Sequence, residues 1–278
     1  MDRLRWTVEI SPEVETWYAS LKSKDKAMAD RALDRLAERG PELRMPHAGP
    51  LGGGLCELRF TCEGTARRVT YYIDTPGGVR IATDWSGAYR MGRLPDVVTM
   101  NRAHSTHYTL FPDPRIPHVL HGWGDDGGPA KISEKIGDVF IRNVTTDIRR
   151  YFGDTSGQNM IKDGNSIFIF EVAGLCIGHL GHLHVKLDDS HFAAIGRLDI
   201  LMVPIDGTYT MSLDGISEIT RRLRASVVLP MHRFETPLED FMQRIGKDFV
   251  IDRRSERTLR ISRETLPTTP TVIILDGV

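Results

Sequence analysis

From residue 75 onward, short apolar runs alternate with stretches rich in Gly, Pro, Asp and Asn, the pattern of buried strands separated by turns. Strands are predicted over 79–83, 96–100, 139–144, 166–172, 175–179, 200–205, 226–230 and 250–253, with 271–275 closing the series. Two segments instead carry a helical period. Ile216, Ile219 and Leu223 share one face of a helix over 212–223, and Phe241, Ile245 and Phe249 share a face over 238–249. The chain is thus read as an α/β protein from about residue 74 to 278, preceded by a segment of different character over 1–73. In that first segment a strand at 6–10 leads through Ser11-Pro12 into a helix on which Val14, Trp17, Tyr18 and Leu21 lie together. A second helix over 24–39 ends at Gly40-Pro41, 46–54 reads as a Gly- and Pro-rich loop, and 55–61 with 67–74 reads as a hairpin.

Composition narrows the function classes. The 278 residues hold 36 Lys plus Arg against 37 Asp plus Glu, a net charge of −1, which removes the broad basic field of a non-specific nucleic-acid binder. Cys56, Cys62 and Cys176 lack the spacing of a thiolate metal site and are too sparse for a disulfide framework. The first residues lack the apolar core of a signal peptide, and the most apolar stretch, 166–178, is interrupted by Glu171 and too short to cross a bilayer. A cytoplasmic protein with no membrane partner is the expectation.

Histidine placement changes the picture more than composition does. The predicted strand 96–100 runs into Asn101-Arg102-Ala103-His104-Ser105-Thr106-His107, 175–179 into Leu180-Gly181-His182-Leu183-His184, and 226–230 into Met231-His232. Strand ends of a layered α/β protein converge on one edge, where ligands gather. Imidazole is the commonest metal ligand, and three or four of them hold one zinc ion while leaving a position for water. The histidines of these three strand-end connections are therefore candidates to hold a metal ion, with zinc the expected ion and manganese or iron the alternatives. Asp84, ending the 79–83 strand, can orient a ligand histidine or simply form a turn. Asp206-Gly207-Thr208-Tyr209 lies on the same edge, where turn chemistry alone explains Asp-Gly. Tyr209 and His184 are candidate substrate contacts, His184 alternatively an outer group. His179 reads as a buried strand-end residue, close enough to substitute for His182, and His118 and His121 as outer groups at most.

The segments DTPGGVRIATDW, LPDVVTMNRAHSTHYT, GLCIGHLGHLH, IGRLDILMVPIDGTYTM and VVLPMHRF together resemble the metallo-β-lactamase-fold hydrolases, in particular the lactonase-like UlaG branch and bacterial homologues known only as metal-dependent hydrolases. The resemblance implies an αββα sandwich over residues 74–278 and a metal-dependent hydrolase. Carried over by position, the family's H-x-H-x-D-H motif falls on Arg102, His104, Thr106 and His107, so its first His and its Asp are absent. Its next His ligand should fall near 144–149, where the chain offers Asp147. Its G-D aspartate falls on His182 and its last His on His232. The missing groups imply a mononuclear site on His107, His182 and His232, with His104 as a fourth ligand or the remnant of a second site. Arg102 then places a cation at the mouth, suited to an anionic substrate or a developing oxyanion. His182, Arg102 and Asp84 are the implied catalytic groups.

Residues 6–72 are similar to the start of a RelE-type toxin, a ribosome-dependent RNA endonuclease, through VEISPEVETWYASLKSKDKAMADRALDRLAERGPELRMPHAGPLGGGLCELRF and ARRVTYYI. The resemblance stops before the final strands and basic C-terminus of such toxins. With 12 Lys or Arg against 11 Asp or Glu in residues 1–70, this segment lacks the excess that phosphate binding requires. The hairpin 55–74 is expected to be shared between the two segments. The sequence thus predicts a metal-dependent hydrolase acting on an ester, lactone, amide or phosphoester, with a small-molecule substrate and a homo-oligomer allowed. An RNA endonuclease or RNA-binding module, and a relic that keeps the fold but no activity, are the alternatives.

Overall fold

The apolar alternation read from the sequence becomes the layering of the molecule, seen in a computed structural model that describes residue 30 and residues 48–52, 55–58, 72–87, 93–103, 107–150, 159–233 and 236–276. The chain divides into two units, Met1–Arg67 and Arg68–Val278.

In the first unit, Asp30 is helical, and β1 (Ala48–Gly52) pairs antiparallel with β2 (Leu55–Leu58). The loop predicted over 46–54 is thus mostly strand. Ladder pairing outweighs the poor strand propensity of Gly and Pro, at the expense of an irregularity between Pro50 and Gly52. The predicted strand at 6–10, the rest of the two predicted helices and the turn of the predicted hairpin, with residues 59–71, lie outside the described residues.

The second unit is built on two sheets. The smaller has the order β3 (Tyr72–Asp74), β4 (Arg80–Ala82), β5 (Val97–Met100), β6 (His118–His121). The larger collects β7 (Ser133–Ile136), β8 (Val139–Arg149), β9 (Met160–Val172), β10 (Leu175–His179), β11 (Ile200–Pro204), β12 (Val227–Met231), β13 (Val250–Arg253) and β14 (Thr271–Ile274), in the order β13-β14-β12-β11-β10-β9-β8-β7. Strands β7 to β10 form an antiparallel meander, whereas β10, β11, β12, β14 and β13 run parallel.

Period-two alternation decides which core each side chain enters. Phe168 and Phe170 of β9, Ile200 and Met202 of β11, and Val227 and Leu229 of β12 pack in the core that also holds Ile73, Ile81, Val97 and Leu120 of the smaller sheet. Their neighbours Ile167, Ile169, Leu201, Val203 and Val228 face the opposite way and pack with Ile195, Ile216, Ile219, Phe241 and Ile245. Those last five residues belong to α1 (Asp189–Ile195), α2 (Leu213–Leu223) and α3 (Leu238–Ile245).

Three differences from the sequence reading have local causes. Helix α1 is too short to show a period; it is fixed by a capping box between Asp188 and His191. Helix α3 stops at Ile245 because Gly246 leaves the helical region with φ +84°, a backbone conformation open to glycine and strained for other residues. Strands β8 and β9 outrun their apolar cores because the long hairpin pairs polar residues such as Thr146 with Asn165. Among the described residues, the outer face of the smaller sheet is covered by Trp85, Ile116 and Trp123 rather than by a helix.

Candidate metal centre

The parallel strands β10, β11 and β12 deliver their C-terminal ends to one edge, and β5 of the smaller sheet delivers its own. Four short connections follow these ends. They place His107, His182 and His232 together, all buried, with ligand atoms within 4.8 Å of one another. Ring centroids are 4.8 Å apart for His107 and His182, 5.2 Å for His107 and His232, and 4.8 Å for His182 and His232. Nε2 of His232 stands 3.3 Å from Nε2 of His107.

Carboxylates back two of these rings. Asp84 Oδ2 lies 3.2 Å from His107 Nδ1, and Asp206 Oδ2 lies 2.9 Å from His232 Nδ1. Burial alone would raise the pKa of Asp84, but the charge and hydrogen bond of His107, with help from His179 and Asn101, hold it well below the usual carboxylate range. For Asp206 burial is likewise outweighed, here by His232 and Thr210, and its pKa falls to about 2. An ionised carboxylate only accepts, so the nitrogen facing it carries the proton and Nε2 of each ring keeps its lone pair. With both protons on Nδ1, the two Nε2 lone pairs facing at 3.3 Å repel each other unless a cation lies between them. The donor set therefore fits a divalent cation bound by imidazoles with carboxylate support.

Backbone strain marks the same two places. Asp84 has φ +49° and His232 φ +54°, left-handed values that cost a non-glycine residue roughly 1–2 kcal/mol each. Their side-chain partners hold them there. Asn101 donates to Asp84 Oδ1 at 2.9 Å, and Asp206 also accepts from Thr208 N and Thr210 N at 2.9 Å each and from the Thr210 hydroxyl at 2.5 Å. His182 is placed by a turn at Gly181 and by its backbone N–H donating to Asn165 Oδ1 at 2.8 Å. Asn101 Oδ1 accepts from Ser166 N at 2.7 Å, tying the smaller sheet's connection to β9.

The other sequence candidates fall around this centre. His184 is an outer group whose Nε2 is 2.6 Å from His182 Nδ1. His179 is buried at the end of β10, its Nδ1 accepting from Gly181 N. Arg102 lays its guanidinium over Trp123, 5.1 Å from the ring centroid, and His121 stacks on the same ring. Tyr209 is exposed, and its carbonyl, with those of Thr208 and Thr210, accepts from the Arg149 guanidinium. His118 lies on β6, and Asp147 accepts from Asp163 N. His104 and Thr106 lie outside the described residues. Asp206, Asn101 and Asn165 were not singled out as site residues from sequence. A strand-end position was the signal available for the first two, and none was available for Asn165.

Burial lowers the pKa of His179 and of His232 from 6.5. Their contribution to stability is complete above pH 6.5 and is lost as pH falls through the depressed native values, because the unfolded chain binds protons first. Asp84 and Asp206 contribute above their unfolded value of 3.8 and lose that contribution only in stronger acid. The metal-free protein is therefore expected to melt at a lower temperature at pH 5 than at pH 7, with a second fall below pH 4. A melting temperature constant between pH 7 and pH 5 contradicts this.

Known proteins bear on both units. Residues 67–232 match the model of the beta-lactamase superfamily domain, and residues 16–81 match the model of the phage-derived Gp49-like proteins. A UPF0173 metal-dependent hydrolase of Archaeoglobus fulgidus is 27% identical over 165 residues, covering 46% of this chain and 71% of that protein. One from Thermoplasma acidophilum is 33% identical over 153 residues, covering 50% of this chain and 65% of its own length. A solved structure from Thermotoga maritima, assigned to the Zn-dependent hydrolases of the metallo-β-lactamase superfamily, shares the fold with a TM-score of 0.50. It is 22% identical, and the match covers 74% of this chain and 93% of that one. No helix among the described residues is long and apolar enough to cross a membrane.

Proposed function

Because the chain belongs to the β-lactamase superfamily and is homologous to metal-dependent hydrolases, we propose that it hydrolyses a small-molecule ester, lactone, amide or phosphoester at a centre lined by His107, His182 and His232. The observation that carries this reading is the pair of facing Nε2 atoms, each on a ring whose Nδ1 is turned to a carboxylate. His107 and His232 are the proposed imidazole ligands, with zinc the expected ion. His104 remains a further ligand proposed from sequence. An ion held there supplies Lewis acidity and makes water reactive near neutral pH.

The chain's own residues do the rest. Asp84 and Asp206 hold their histidines in the tautomer that offers Nε2, and Asn101 and the Thr208–Thr210 turn hold the two carboxylates. Arg102, resting on Trp123, is proposed to attract an anionic group of the substrate. Tyr209 is the other proposed substrate-side group, whereas both ring nitrogens of His184 are engaged, by His182 and by the backbone of Arg149. The two family matches overlap over residues 67–81, which contain β3 and the start of β4. That overlap supports a fused chain in which part of the toxin-like hairpin serves the hydrolase sheet.

The test is a panel of chromogenic esters, lactones, phosphomonoesters and phosphodiesters, assayed after chelation and again after zinc, manganese or iron is restored. Hydrolysis of one class that disappears on chelation and returns with one metal is expected. No metal uptake, or turnover indifferent to chelation, overturns the proposal. Salt-dependent RNA cleavage by the full chain favours the toxin-like alternative instead.

A further inference from the structure

His182 differs from its two companions in what backs it. His107 and His232 turn Nδ1 to carboxylates, whereas His182 turns Nδ1 to another imidazole, His184 Nε2, at 2.6 Å. His184 Nδ1 in turn accepts the backbone N–H of Arg149 at 2.6 Å. An amide N–H can only donate, so His184 Nδ1 carries no proton. A neutral His184 then has its proton on Nε2 and gives it to His182 Nδ1. With Nδ1 accepting, the proton of a neutral His182 sits on Nε2. A protonated nitrogen has no lone pair to offer a cation.

We propose that His182 faces the centre as an Nε2–H donor rather than as a third nitrogen ligand, and that His184 is the positioning residue that fixes this tautomer. The proposal rests on the centre described under the proposed function and assigns its third histidine a separate role. Three features make the relay firm. Arg149 ends β8, and its guanidinium is held by the carbonyls of Thr208, Tyr209 and Thr210. Its N–H therefore cannot swing away from His184 without breaking those contacts. His182 is itself fixed through its backbone N–H by Asn165. The reverse proton arrangement would leave His184 either facing an N–H with an N–H or stripped of both ring protons.

The arrangement has a chemical use. A donor aimed into a buried centre stabilises the oxygen that gains negative charge when a carbonyl or phosphoryl group is attacked. The same N–H repels a second cation, which restricts the centre to one ion.

Two measurements decide the matter. In 15N-labelled, metal-free protein, long-range 1H–15N correlation should show His182 protonated on Nε2 and bare on Nδ1, and His184→Phe should shift the His182 nitrogens. Zinc titration should give one ion per wild-type chain. His182→Ala and His182→Gln should keep zinc affinity within about tenfold of wild type, while His107→Ala and His232→Ala lose roughly 100-fold or more. His182→Gln retains an N–H and covers the case in which the alanine variant fails to fold. An Nδ1–H tautomer at His182 overturns the proposal. So does a loss of zinc in folded His182→Gln equal to that in His232→Ala. Wild-type protein that takes up no zinc overturns the proposed function, and the tautomer spectrum still decides the donor role.

Discussion

An Asp206→Asn protein is expected to fold normally and to lose metal affinity by roughly 10- to 100-fold, whereas Asp206→Ala loses roughly 3–5 kcal/mol of stability as well. The difference follows from which oxygen does what. Oδ1 accepts from the backbone N–H groups of Thr208 and Thr210, and Oδ2 faces the Thr210 hydroxyl and His232 Nδ1. An asparagine keeps its carbonyl for the two backbone donors and puts its NH2 where Oδ2 stood. The Thr210 hydroxyl can rotate to accept from it. The His232 ring cannot donate to an N–H, so it must adopt the other tautomer, with its proton on Nε2. That proton occupies the lone pair offered to the ion, the same logic by which an amide in place of an orienting carboxylate disables a catalytic histidine. Alanine removes both functions and leaves buried donors unsatisfied. Chemical denaturation separates the two variants, and calorimetric zinc titration reads the affinity. An Asp206→Asn protein that binds zinc like wild type refutes the role given to this carboxylate.

Gly181→Ala is expected to cost roughly 3–5 kcal/mol and to disorder the centre, although the substitution adds one methyl group. Gly181 has φ +59°, and a Cβ there would stand 2.5 Å from Asn165 Oδ1 and also strike Asn101 Nδ2. Asn165 holds the backbone of His182, and Asn101 holds Asp84, which supports His107. Neither buried amide can move without releasing a partner in the site. Gly127 provides the control. Its φ is +82°, but nothing lies within 4 Å of its Cβ position, so Gly127→Ala carries the backbone strain alone, about 1–2 kcal/mol. Equal losses in the two variants, measured by urea denaturation, would show that crowding at Gly181 is unimportant.

Much of the architecture is legible because buried strands leave short apolar runs bounded by turn-forming residues. The runs around Phe168, Ile200 and Val227 are apolar at every position since both faces are covered, one by the helices and one by the second sheet. Strands that escaped notice are those where tertiary pairing replaces apolar content, such as the polar edge strand Ser133–Ile136. Helix α1 escaped because a cap, not a period, fixes it.

The site divides along the same line. His107, His182 and His232 stand out in the sequence because each follows a strand that is itself recognisable, and strands ending on one edge bring their following residues together. The sequence by itself determined the layered fold and the edge on which the histidines would meet. Only the tertiary structure decided which nitrogen each histidine presents. That choice depends on partners from distant strands and connections: Asp84 for His107, Asp206 for His232, and Arg149 through His184 for His182. A proton's place on an imidazole is set by the hydrogen bond on the opposite nitrogen, and no pattern along the chain encodes a bond between residues so far apart.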